Sequence, residues 1–238
     1  MSPHLRRPHG FTLVELAIVL VIVALLTGGM LFSLSAQTEV RDNGDTRKQL
    51  QDIGDALIGY AASHYSSSGQ HPFLPCPDTD YDGVEEARDG SGNCPSAEGV
   101  LPWTSLGLGQ YDSWRNHYRY RVHTRFSNNK DGFGLATSAG DITVCSVASA
   151  SSGCSVANST LASGLPALVL SHGKNGLGAI NAQGAANGAS SDADEVENHD
   201  GDNVFVSRAV TQQGFDDQVL WLSPNLLFNR LIAAGRSL

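Results

Sequence analysis

The sequence predicts an α+β fold, and three observations carry that prediction. An apolar run covers residues 11–34, with one charge, Glu15, near its beginning. A second helical pattern follows, with Leu50, Ile53, Leu57, Tyr60 and His64 at spacings of three and four. Beyond residue 64 the pattern changes to short alternating or all-apolar segments between Gly-, Ser- and Asp-rich stretches, as strands and irregular loops require. The expected architecture is a helix laid by its apolar face on an antiparallel sheet.

The chain has 238 residues, enough for an anchor and one domain of ordinary size. Hydrophobic residues make up 41% and charged residues 16%, with 26 glycines, a loop-rich globular composition. The formal charge is −9. An acidic chain argues against nucleic acid as a partner, because phosphate neutralisation needs clustered Lys and Arg.

The predicted segments are residues 1–10, a basic leader with Arg6 and Arg7; 11–34, a membrane helix; 35–64, an amphipathic helix; and 65–238, a globular head. As a helix, residues 11–34 would extend about 36 Å, enough for a bilayer core. The leader arginines would hold the N-terminus on the cytoplasmic side. A cleavable secretory signal fits poorly, because the run is long and no A-x-A site follows it. Asn43-Gly44 predicts a break or kink between the two helical stretches.

A carboxylate inside an apolar run is costly unless something pairs with it, which makes Glu15 the informative residue. Gly10-Phe11-Thr12-Leu13-Val14-Glu15 resembles the processing and methylation site of type IV prepilins and pseudopilins. The resemblance implies one long N-terminal helix under a periplasmic head. It implies cleavage after Gly10, methylation of the new amine on Phe11, and pairing of Glu15 with that amine on the next protomer to set filament register. The implied partners are a prepilin peptidase and methyltransferase, an inner-membrane assembly platform and other pilin subunits. Removing the leader would make the chain two charges more acidic.

The head opens with Cys76, and Cys94 follows across an acidic loop. With Cys145 and Cys154 these make two local pairs without metal-site spacing, which read as disulfides of an oxidising compartment. Four cysteines allow three connectivities; the local spacing favours sequential pairing. Within the first loop, Asp78, Asp80, Asp82, Gly83 and Asp89 match the D-x-D-x-D-G-x5-E calcium template, with Asp in the last place. A calcium loop and a solvated acidic turn both fit this pattern. Half of the 24 acidic residues lie in this block and in a second one holding Asp194, Glu195, Glu197, Asp200 and Asp202, a weaker calcium candidate.

Residues 112–126 alternate strictly and predict a strand. One face would bury Trp114, Tyr118, Tyr120, Val122 and Phe126, and the other would present Arg115, Arg119, Arg121 and Arg125. That basic face is either balanced by nearby acidic loops or a contact stripe for an acidic neighbouring subunit. Asp112-x-Trp114-x-Asn116-x-Tyr118-x-Tyr120 resembles a segment of the major pseudopilin of type II secretion, with Ser113, Arg115 and His117 in place of that family's Pro, Gly and Pro. The stretch from Ser171 to Gly178, followed by Asp194 to Asn198, resembles that family's calcium-binding C-terminal loop, with a longer spacing.

A hairpin is expected from residues 141–145 to 154–156, stapled by Cys145 and Cys154. Short strands are expected at 167–170, 204–207 and 218–222, and a helix at 226–234. Phe215-Asp216-Asp217-x-Val219-x-Trp221 resembles an ending seen in minor pilin-like proteins. No G-x-S-x-G elbow, H-E-x-x-H, Walker sequence or strand-linked G-x-G-x-x-G is present, and the histidines share no metal-ligand spacing. The expected function is that of a structural subunit, a minor pilin or pseudopilin, and not an enzyme. The alternatives are a tip-located adhesin or initiator subunit and, more remotely, a signal-anchored periplasmic enzyme.

Overall fold

The computed structural model describes residues 11–137, 139–148, 154, 159–211, 214–236 and 238, with the side chains of residues 28–36 outside that description. The chain divides into two compact units, Met1–Asp42 and Asn43–Leu238. In chain order the elements are α1 (Leu13–Ser63), β1 (Glu98–Val100), α2 (Trp103–Leu106), β2 (Arg119–Val122), α3 (Thr124–Ser127) and β3 (Ile142–Cys145). They continue with β4 (Thr160–Leu165), β5 (Ala167–Ser171), α4 (Ala193–Glu197), β6 (Val204–Val206), β7 (Gln218–Leu222) and α5 (Pro224–Ala233).

In the first unit the described apolar side chains are exposed, with Phe11 at 87% and Leu13 at 88%. A helix that is apolar all round needs a covering medium, either lipid or other helices. Among the described residues no helix is long and apolar enough to cross a membrane. The predicted span at 11–34 continues into residues 28–36, whose side chains lie outside the description.

The predicted break at Asn43-Gly44 does not occur, since α1 is one helix of 51 residues. A lone glycine costs a helix about 1 kcal/mol relative to alanine, too little to interrupt a helix with ordered turns on both sides.

In the second unit the α1 residues Leu50, Ile53, Leu57, Ile58 and Ala61 are buried with Tyr118 just before β2, with Tyr120, Val122, Val169 and Leu222 of the sheet and with Leu227 and Leu231 of α5. Gly54 belongs to this contact. A methyl group there would stand 2.9 Å from Leu220 Cδ2, so the bare backbone allows α1 to approach β7 closely. The buried tyrosines keep partners: Tyr118 donates its hydroxyl to Gln49 Oε1 at 2.6 Å, and Tyr120 donates to the Pro75 carbonyl at 3.1 Å.

The sheet against α1 runs β1-β2-β5-β7 and is antiparallel throughout. A second sheet, β4-β3-β6, pairs β3 antiparallel with β4 and parallel with β6. Strand β5 is buried along its whole length. Its Ala167 and Val169 enter the core beneath α1, while Leu168 and Leu170 join Ile142, Val144, Leu165 and Phe205 in a second core. Alternate side chains face opposite ways, so a strand covered on both sides reads as a continuous apolar run.

Three strand expectations need correction. The alternation at 112–126 is a strand only at Arg119–Val122. Before it, Asp112 Oδ1 accepts the amides of Trp114 and Asn116, each at 2.9 Å, and Arg115 is left-handed at φ 68°. After it, His123 caps α3. Short side chains that bond their own backbone compete with the sheet ladder. The return strand for β3 is β4, Thr160–Leu165, rather than residues 154–156; of these, 155 and 156 lie outside the described residues. The single expected sheet is two sheets.

Both disulfides pair sequentially, Cys76 with Cys94 and Cys145 with Cys154. Leu57 is fully buried in the helix–sheet contact, so Leu57→Ala should cost about 2–5 kcal/mol in denaturant unfolding. Asp52→Ala, on the exposed side of the same helix, should stay within about 0.5 kcal/mol.

Candidate functional site

At the start of α1, Thr12 and Glu15 bond reciprocally. Glu15 donates its amide to Thr12 Oγ1 at 3.2 Å, and Glu15 Oε2 accepts the Thr12 amide at 2.8 Å and hydroxyl at 2.9 Å. This is a capping box: it satisfies amides that have no partner within the helix and sets the carboxylate at the positive end of the helix dipole. The T-x-x-E spacing was its signal in the sequence. Phe11 is exposed immediately before this turn, and Gly10 lies outside the described residues.

The first acidic loop does not gather the ligands the calcium template predicts. Asp78 is fully buried, and its carboxylate accepts amides from Asp80 at 3.1 Å, Tyr81 at 2.7 Å and Gly83 at 2.7 Å. Burial raises its pKa, and these backbone bonds oppose the rise. Asp82 Oδ1 accepts the Val84 amide at 2.7 Å, and Asp89 Oδ1 accepts those of Ser91 and Asn93 at 2.8 and 2.9 Å. The acids that approach one another are Asp78, Asp80 and Glu86, without Asp82 or Asp89. Each carboxylate folds the turn that carries it, a use the template spacing also fits.

The second block undergoes a larger rearrangement. Asp194 is ion-paired to the Arg208 guanidinium, and Asp192 accepts from Arg208 Nη2 at 3.3 Å. Asp200 accepts the Asp202 amide at 3.1 Å, and Asp202 that of Val204 at 2.7 Å. Glu197 is buried but is not among the clustered acids. Of the five predicted residues, Glu195 alone enters a cluster, and its companions are Asp216 and Asp217, with one carboxylate oxygen of each within 4.8 Å of the others.

Helix α4 supplies Glu195, and the turn before β7 supplies the two aspartates. Asn175 ties them together: its side-chain amide donates to Glu195 Oε1 at 2.8 Å and its backbone amide to Asp216 Oδ2 at 2.8 Å. Asn198 Nδ2 donates to Asp217 Oδ2 at 2.8 Å. Three oxygens stay unpartnered and buried: Glu195 Oε2, Asp216 Oδ1 and Asp217 Oδ1. Glu195 and Asp217 are themselves 1% and 2% exposed, and a buried polar oxygen without a partner is costly. The Asp216 pKa is pushed up to about 7, first by burial and then by the neighbouring Glu195 and Asp217 charges, against the Asn175 amide. Converging hard oxygen donors of this kind fit a divalent cation such as Ca2+.

The arginine face divides. Arg119 and Arg121 both reach Glu98 on β1, Arg121 at 3.0 Å, whereas Arg115 and Arg125 are exposed. His117, expected on the solvent face, is buried.

The model of the prokaryotic N-terminal methylation motif matches residues 5–31. The chain carries a type IV pilin-like prepilin motif. No curated protein and no solved structure matches. The motif supports a pilin-family subunit, processed by a peptidase and assembled with other pilins, in a family that is generally structural rather than enzymatic. The α+β head with its two disulfides is consistent with a pilin fold.

If Asp78 is a backbone cap, Asp78→Ala leaves three amides without their acceptor and should lower stability by about 3 kcal/mol or more. Thermal melts with and without EDTA should show the same loss.

Proposed function

We propose that this chain is a structural filament subunit, a minor pilin or pseudopilin. It is inserted in the inner membrane through residues 11–34, cleaved after Gly10 and methylated on Phe11. The methylation-motif match at residues 5–31 carries this reading. The exposed apolar start of α1 supports it, since such a surface suits a filament core as well as a bilayer. Mass spectrometry of the mature chain is the direct test. The expected mass begins at a methylated Phe11, and any other N-terminus overturns the processing step.

Glu15 would then have two roles, capping its own helix and pairing with the Phe11 amine of the next subunit. Two substitutions separate them. Glu15→Gln keeps a capping-box side chain and removes the charge. If the ion pair sets register, Glu15→Gln and Glu15→Ala both reduce the yield of sheared filaments. If capping alone matters, Glu15→Gln assembles normally.

A calcium ion held by Glu195, Asp216 and Asp217 is the second part of the proposal. The three unpartnered, buried carboxylate oxygens support it. A bound cation would supply charge compensation and tie α4 to the turn before β7. At one hundred times its dissociation constant, calcium would add about 2.7 kcal/mol to stability. For a domain of this size that is about 5–10 °C in Tm. The full chain in detergent should therefore melt lower in EDTA, and Asp217→Asn should abolish the difference. Equal melting with and without EDTA overturns the calcium site.

A further inference from the structure

The head contains a cavity of about 210 Å³ that neither the filament nor the calcium site uses. Tyr81, His117, Glu98, Arg119, Thr79 and Ile180 line it, and His172 closes one side.

Tyr81 is held in a left-handed conformation at φ 67°, and Arg115 is the other described non-glycine residue with positive φ. That backbone is unfavourable for an aromatic residue and persists where the surroundings impose it. The Asp78 carboxylate does so by accepting the Tyr81 amide. The strained turn sets the phenol ring against the cavity, with its centroid 6.1 Å from that of His117.

His117 in turn lies 4.9 Å, centroid to centroid, from both Trp103 and Tyr111. It is 3% exposed, and burial lowers its pKa. Tyr81 and His117 therefore give the cavity an aromatic lining, with Trp103 and Tyr111 packed against His117.

Charged side chains, Glu98 and Arg119, line the cavity as well. Arg119 and Arg121 share the single carboxylate of Glu98, and Arg121 also lies near the Asp202 carboxylate and the Gly201 carbonyl. Arg119 Nε donates to His172 Nε2 at 3.3 Å. Arg119 makes three such contacts, with His172, Glu98 and the Gly178 carbonyl. A guanidinium has five N–H donors, so these three contacts do not exhaust Arg119, which lines the cavity.

Size restricts the ligand further. Pockets for drug-sized molecules hold about 300–1,000 Å³, so this one takes about a single ring. An aromatic face suits the C–H face of a pyranose, and the guanidinium suits a carboxylate. We propose that the cavity binds one hexuronate ring of an acidic polysaccharide, its carboxylate on Arg119 and its apolar face on Tyr81. This does not rest on the filament or calcium readings.

The test is isothermal titration of the full chain, in a detergent without a sugar headgroup, with glucuronate, glucose and acetate. Glucuronate should bind saturably and at least tenfold more tightly than either of the others. Tyr81→Gly accepts the positive φ, so it should melt no lower than the parent while binding glucuronate at least fivefold more weakly. Arg119→Gln should bring glucuronate down to the level of glucose. Absence of saturable glucuronate binding overturns the proposal. So does equal binding of acetate, which would mean a bare anion site, or unchanged affinity in Tyr81→Gly. If Arg119→Gln does not fold, the ligand series and Tyr81→Gly decide.

Discussion

The head depends on one contact, the burial of α1's second half against the face of the four-stranded sheet. Leu50, Ile53, Leu57 and Ala61 form a stripe at helical spacing; Tyr120, Val122, Val169 and Leu222 answer it from three strands, with Tyr118 just before β2. Hydrophobic burial of this kind is the dominant favourable term in folding. Gly54 lets the helix lie close to β7, and β5 passes the packing on to the second sheet through Leu168 and Leu170. Loops that carry chemistry hang on this frame, and their positions are fixed by strands that are themselves buried.

The acidic residues show how one side-chain type acquires different roles from its surroundings. Glu15 and Asp78 spend their oxygens on backbone amides and so shape a helix start and a turn. Glu98 neutralises guanidiniums on the neighbouring strand. Glu195, Asp216 and Asp217 converge with an unpartnered oxygen each. A carboxylate with several amides on it is already compensated, whereas a buried oxygen without a donor is costly and suits a cation or a proton. That difference sets Glu195, Asp216 and Asp217 apart from Glu15 and Asp78, which composition alone makes look alike.

Much of the frame was legible from local pattern. The amphipathic spacing from Leu50 to Tyr60, the apolar strand beginning at Ala167, the strand at Gln218–Leu222 and the C-terminal helix all depend on periodicity within a few residues. The long alternation from Asp112 to Phe126 misled because alternation reports only which side a residue would face in a strand. The Asp112 side chain and the His123 cap take the backbone out of the ladder at either end. The T-x-x-E cap was present in the sequence but overshadowed by the charge it also carries. The calcium template is ambiguous for a similar reason, since Asp at alternate positions suits both a metal loop and a chain of self-capping turns; of its residues Asp78 and Asp80 come together, with Glu86.

By itself the sequence determined the prepilin motif at the N-terminus and the α+β class, because each depends on residues close together in the chain; it favoured sequential disulfides, which the structure selects from three connectivities. The tertiary structure decided which distant residues meet. Glu195 finds Asp216 and Asp217 because α4 and the turn before β7 lie side by side. Tyr81 faces His117 and Arg119 because a buried aspartate bends one loop over the edge of the sheet. Such meetings are set by the packing of strands far apart in sequence, and no local spacing encodes them.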